Sequence, residues 1–410
     1  MDLGQPSDRQ VTLEIRLLSF STGEPHPLAE QPIIFIAAKR RHGQGIVVIE
    51  IVGDILAILI TFIALQHETE DMLFLVRWKK GETYSMSLPV PRAPEWGANS
   101  YFAFVSQDTL VFPNPIQNML TVTKIVIDSD DTPRLVPLCV LHLPPLTRRA
   151  SVTRLSCHAE SNPTGSGPLA IPAPSDRPFR DKTEDAIIEF ILFIDGHLIG
   201  SYLFTFIVHR HALFAHIPAA HRACAPFCSP PVPMPALEQV PWSAWGPAAT
   251  RWFKVEPWSN INLNWRMAGQ RLVTSERNMR APIIVRDFNP YAVRAARALA
   301  TASGQSQQGN WRMQLPNGNS MYLKVEDTVI AAGYIFEEDV RSSLPYIEIV
   351  TKTEYQYDGV LIDEERILGL KVRLGCLNMS LTCEFGEFGC TELSFFTGSP
   401  RRPRSWDFVF

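Results

Sequence analysis

Ile46-Val47-Val48-Ile49-Glu50-Ile51-Val52-Gly53-Asp54-Ile55-Leu56-Ala57-Ile58-Leu59-Ile60-Thr61-Phe62-Ile63-Ala64 is the stretch on which the fold turns. Its length and apolar content suit one bilayer crossing. Glu50 and Asp54 weigh against that, because an Asp at the centre of a span costs about 2.5–3.5 kcal/mol on insertion scales. With residues 46–52 as one strand, Gly53-Asp54 as a turn and residues 55–64 as a second strand, the segment becomes a buried β pair. The strand reading makes the chain a β protein and removes its only candidate membrane span.

Outward from that segment the same grammar repeats. Val11-Thr12-Leu13-Glu14-Ile15-Arg16-Leu17 alternates apolar and polar residues, as a half-buried strand does, and ends in the turn Ser21-Thr22-Gly23-Glu24. Met72-Leu73-Phe74-Leu75-Val76-Arg77-Trp78 is more continuously apolar and ends in Lys79-Lys80-Gly81-Glu82. Gly23 and Gly81 stand 81 − 23 = 58 positions apart, somewhat more than the roughly 40–50 residues of common propeller repeats, as expected of a repeat with an insertion. Further strands are predicted at 101–105, 109–112, 120–127, 138–143, 186–194, 203–208, 283–285, 321–325 and 346–351. The best helix runs from Pro290, with Asn289 as its cap, to Ala300. Loops are expected near 161–178, 218–241 and 303–309, where Pro, Gly, Ser or Gln concentrate.

Composition agrees with a large globular β chain. Of 410 residues, 46% are apolar and 20% charged, enough for a sizeable core, and 33 Pro against 23 Gly disfavours long helices. A net charge of −4 gives no broad attraction for nucleic acid or an anionic membrane, so neither is an expected partner. Seven Cys and an opening without an apolar h-region point to free thiols in the cytoplasm or nucleus. Many short strands over this length fit radial repetition, so the expected class is all-β and β-propeller-like, with insertions or an incomplete ring, over 1–372. Residues 373–410 form a divergent C-terminal segment.

Several segments resemble fungal F-box proteins in the region after the F-box: STGEPHPLA at 21–29, LCVLHLPPL at 138–146, PFRDKTEDAIIE at 178–189, VPWSAWGPAATRWF at 240–253, IIVRDFNPYAVR at 283–294 and LPYIEIVTKTEYQYDGVLIDEERILGLKV at 344–372. The resemblance implies a WD-repeat-like propeller that recruits a client protein for a ubiquitin ligase. It would also imply an F-box docking on a Skp-type adaptor and a cullin. Nothing before Val11 supplies that element, so adaptor and cullin enter only through an upstream F-box, and a truncated paralogue is a rival reading.

The chain lacks a G-x-S-x-G elbow, a G-x-x-x-x-G-K-[ST] loop and a G-x-G-x-x-G loop, and no catalytic, cofactor or metal site is expected. His209, His211, His216, His221, Cys224 and Cys228 have ligand chemistry but poor zinc spacing, and read as a strand edge with incidental thiols. Glu184-Asp185, Glu337-Glu338-Asp339 and Asp363-Glu364-Glu365 read as solvated turns. A hydrolase with carboxylates and His gathered at a ring centre is the enzymatic rival, recognisable by convergent side chains with perturbed pKa values. The richest binding signal is aromatic: Trp242, Trp245, Arg251, Trp252 and Arg266 are the expected contacts for a protein partner, against the competing role of wedging between sheets.

Overall fold

The computed structural model describes residues 9–19, 21–40, 44–63, 72–87, 101–128, 132–160, 162–163, 185–196, 200–222, 227–228, 237–255, 267–275, 280–303, 311–357, 359–362, 366–375, 378–384, 391–393 and 406–409. Among the described residues strand takes 58% and helix 12%, an all-β architecture with short helical excursions.

Six main sheets follow one another along the chain. Sheet 1 holds β1 (Arg9–Leu18) and β2 (Ile33–Arg40). Sheet 2 is the meander β3 (Gln44–Val52), β4 (Ile55–Ile63), β5 (Met72–Arg77) and β6 (Glu82–Ser87). Sheet 3 is β7 (Ala103–Ser106), β8 (Thr109–Asn114), β9 (Met119–Ile127) and β10 (Pro133–His142). Sheet 4 begins with β11 (Ala150–His158), β12 (Ile187–Gly196) and β13 (Gly200–His209). An excursion follows: α1 (Arg210–Phe214), α2 (Ala219–Arg222), β14 (Glu238–Val240), which joins sheet 3 beside β10, and α3 (Trp242–Ala249). The chain then returns as β15 (Thr250–Val255), the last strand of sheet 4.

Sheet 5 repeats that plan. Three strands, β16 (Met267–Ala268), β17 (Arg271–Thr274) and β18 (Ala281–Asp287), lead into an excursion. It comprises α4 (Pro290–Ala302), the hairpin β19 (Trp311–Gln314) and β20 (Ser320–Lys324), and the separate pair β21 (Thr328–Ile330) and β22 (Val340–Ser342). β23 (Tyr346–Tyr355) then pairs with both β18 and β20. Sheet 6 is the meander β24 (Gly359–Ile362), β25 (Ile367–Gly375), β26 (Asn378–Glu384) and β27 (Thr391–Leu393). Finally β28 (Trp406–Val409) pairs in parallel with β1, so both ends of the described chain meet in sheet 1.

Packing follows the same order. Ile15, Leu17, Ile34 and Ile36 of sheet 1 bury against Leu56, Ile58 and Ile60 of sheet 2. The alternate residues Ile55, Ala57 and Leu59 face Phe104, Leu110 and Phe112 of sheet 3. Sheets 3 and 4 share the largest core, sheets 4 and 5 meet through Ile187, Ile207, Leu272 and Phe288, and sheets 5 and 6 through Val273, Ile283, Val360 and Ile362. β4 is thus a strand buried on both faces, and at roughly 1.5–3 kcal/mol for each fully buried large side chain this explains a run as apolar as a membrane span. Among the described residues no helix is long and apolar enough to cross a membrane.

The 58-residue interval also has a structural basis. Gly23 lies between β1 and β2, Gly81 between β5 and β6, and each connection closes the edge hairpin of its sheet. Both have positive φ, 69° and 76°, a region open to Gly at little cost.

The expected helix is α4. Asn289 Oδ1 accepts from the Tyr291 and Ala292 amides at 2.8 and 3.2 Å, Pro290 fills the first position, and Val293, Ala296 and Ala300 pack on Trp311, Leu323 and Ile347. Asn289→Ala should cost about 1 kcal/mol, as loss of a helix cap does, read as a lowered unfolding midpoint in urea.

One expected loop differs in detail. The loop at 218–241 contains α2 and β14. The loop residues 164–178 and 304–309 lie outside the described residues, as do most of those between 385 and 405.

Candidate functional site at the common end of three sheets

The Trp residues expected to meet a partner lie inside the protein. Trp252 is fully buried; it stacks on Phe206 at 4.8 Å and meets Trp242 and Phe336 edge-on at 5.6 and 5.9 Å. Trp245 is buried and its Nε1 donates to the His142 carbonyl at 2.8 Å. A Cβ on Gly246 would lie 2.0 Å from the Trp242 ring, so this close approach requires glycine. Arg251 points to the other face of sheet 4, where its guanidinium donates to the Glu326 carbonyl at 2.6 Å and covers the Tyr346 ring at 5.1 Å. Arg266 lies outside the described residues. The four described side chains therefore pack against their own chain, the Trp group holding α3 and β22 onto sheets 3 and 4 and Arg251 filling the seam between sheets 4 and 5.

The His residues divide. His209 ends β13, its Nδ1–H donates to the Asp185 carbonyl at 2.7 Å, and its ring stacks on His211 at 5.1 Å. Burial lowers the pKa of His209 and of His216. His221 sits on α2, and Cys224 lies outside the described residues. Of the acidic clusters, Glu337, Glu338 and Asp339 are exposed, Asp185 pairs with His211 Nδ1 at 3.3 Å, and Glu184 and residues 363–365 lie outside the described residues.

A different set of side chains converges. In an antiparallel meander the first and third connections share one end, and hydrogen bonds join these ends across sheets 2, 3 and 4. Asn162, beyond β11, donates to Glu50 Oε2 at 2.6 Å and to the Ile51 carbonyl at 3.1 Å. Phe227, in the excursion after β13, donates its amide to Asp108 Oδ2 at 3.1 Å in the β7–β8 turn. Arg210, fully buried at the start of α1, contributes positive charge near Glu50.

Glu50 and Glu160 are the electrostatic centre of this junction. Burial pushes the Glu50 carboxyl up to about 7 against the opposing pull of the Asn162 hydrogen bond and the Arg210 charge. Glu160 also rises to about 7, through burial and then the charge of Glu50. Cys157 is driven well above the ordinary thiol value by burial, with Glu50 adding to it, so it is an inert thiol rather than a nucleophile. Near neutral pH the two carboxyls hold protons that ordinary surface carboxyls have lost, which gives the junction acid–base capacity. In the sequence, Glu50 stands out only as a cost against a membrane span. Glu160, Asn162 and Arg210 carry no local signal at all.

No protein-family model and no curated protein matches the chain.

Proposed function

We propose that this chain is a protein-interaction scaffold, its six sheets acting as the blades of a propeller-type ring. The order of packing supports this reading: each of sheets 2 to 5 lies between the sheet before it and the sheet after it, and β28 returns to sheet 1. Radial repetition of that kind protects sheet edges and leaves the connections free for recognition. The client would meet the long excursion of sheet 5, whose exposed apolar side chains include Tyr291, Leu299, Val329 and Tyr334. Segments resembling the post-F-box region fall on β10, α3–β15, β18–α4 and β23–β25, which supports a substrate-recruiting role in a ubiquitin ligase. The test is to extend the coding sequence upstream and look for an in-frame F-box. An extended form that co-purifies Skp-type adaptor and cullin, where residues 1–410 do not, supports the ligase role; extended sequence without an F-box, or with one that captures neither, contradicts it.

A second reading, a hydrolase with a carboxylate pair at the sheet ends, draws on Glu50 and Glu160 with pKa values near 7. Glu50→Gln and Glu160→Gln separate the two: a scaffold keeps client capture in both variants, whereas a hydrolase loses turnover.

A further inference from the structure

Arg148-Arg149-Ala150-Ser151-Val152 runs from the β10–β11 connection into β11. Two arginines stand three and two positions before a serine, with an apolar residue after it, and the pattern R-R-x-[ST] occurs once in the chain. Thr147 anchors the turn that presents it. Its amide donates to the Ile335 carbonyl at 2.9 Å, its hydroxyl donates to the Tyr334 carbonyl at 2.8 Å, and its carbonyl accepts from the Ala150 amide at 3.0 Å. Beyond that anchor Arg148, Arg149 and Ser151 are exposed, and none of the three side chains has a hydrogen-bond or ion-pair partner among the described residues.

The other hydroxyls nearby are engaged or enclosed. Thr147 is held by Tyr334, Thr153 Oγ1 donates to the Phe193 carbonyl at 3.1 Å, and Ser156 is buried. Ser151 alone is both exposed and unengaged. The backbone around it can also yield. β11 is the edge of sheet 4, held by β12 only, and its register shifts between Val152 and Arg154, which separates the rungs of Ala150, Ser151 and Val152 from the rest of the ladder. Short terminal rungs of this kind open at low free energy. Opened, the segment is an extended strand led by two guanidinium groups with no carboxylate to occupy them, which suits a cleft lined with acidic side chains.

We propose that Ser151 is a phosphorylation site for a basophilic serine/threonine kinase. Ser151 Oγ bonds to the γ-phosphorus of ATP, the bond from that phosphorus to the bridging oxygen breaks, ADP leaves with the electron pair, and the hydroxyl proton passes to the kinase. Arg148 and Arg149 pair with the acidic side chains that read the positions before the serine. Val152 takes the apolar position after it. The inference is independent of the scaffold reading.

Incubation of the full chain with ATP and the catalytic subunit of cyclic-AMP-dependent protein kinase, followed by mapping of the phosphate by mass spectrometry, tests it. Phosphate on Ser151 is the expected result, with none at that position in Ser151→Ala. Arg148→Gln and Arg149→Gln, both changes at exposed positions, should each lower kcat/KM at least tenfold, the effect of losing one charge-assisted contact, and leave the thermal midpoint unmoved. A synthetic peptide of residues 145–154 separates recognition from access. It should be modified faster than the folded chain, because Val152 is only 6% exposed and has to leave the core first. Ser151 left unmodified in the folded chain, phosphate placed on other residues instead of Ser151, or a rate indifferent to both arginine changes would each overturn the assignment.

Discussion

Trp252→Ala is expected to destabilise the protein by about 3–5 kcal/mol, the range for truncating a buried aromatic to alanine. Trp252 is fully buried, and its ring touches Phe204, Phe206, Trp242 and Phe336, so its removal opens a cavity shared by sheet 4, α3 and the β21–β22 pair. Its Nε1 is buried with no hydrogen-bond partner. All of its contribution is therefore packing, and Trp252→Phe should cost less than half as much. Urea unfolding of the two variants measures both numbers. If Trp252→Ala left the unfolding midpoint unchanged while abolishing client capture, the residue would be a contact and not a core wedge.

Glu50→Gln should stabilise the protein at pH 8 and change little at pH 4. A carboxyl raised from 4.5 to about 7 on folding binds its proton more tightly in the native state. Stability from such a group is therefore fully present below the unfolded value and is lost as pH rises through the folded one, here between about pH 4.5 and 7. A glutamine keeps an acceptor for the Asn162 side chain and removes the charge. It also removes the charge that helps to raise Glu160, so that carboxyl should titrate lower in the variant. Each tenfold change in proton affinity is worth roughly 1.4 kcal/mol, so the gain at pH 8 is on the order of 3–4 kcal/mol. Unfolding midpoints at pH 5 and 8 read it directly: the original protein should lose more stability across that window than the variant. A variant less stable at pH 8 would mean that the Arg210 charge outweighs the cost of burying Glu50.

How far the sequence carries depends on whether the relevant contacts are local. The strands of sheet 2 are readable because Gly53-Asp54 breaks an apolar run too charged for a bilayer, and α4 because Asn289-Pro290 is a start signal complete within two residues. β11 escapes such a reading because its register shifts between Val152 and Arg154, which breaks the two-residue alternation. α3 escapes it because the helix contains Gly246 and Pro247 and has no side-chain cap. The Trp-rich stretch is visible as a cluster, yet burial is what separates a contact face from a wedge, and burial comes from β13 and β22. The carboxylate junction is invisible for the plainest reason: Asn162 is 112 positions from Glu50, and only the pairing order of the sheets brings them together.

The proposed ring depends on its first and last strands meeting. In sheet 1, β1 lies between β2 and β28, so its backbone groups divide between an antiparallel and a parallel neighbour. Hydrogen exchange of β1 amides in the full chain and in a form ending at residue 405 tests this most directly. The ring predicts that the shorter form loses protection at those amides of residues 15–18 that face β28, while the amides bonded to β2 stay protected. Unchanged exchange along the whole of β1 would contradict it.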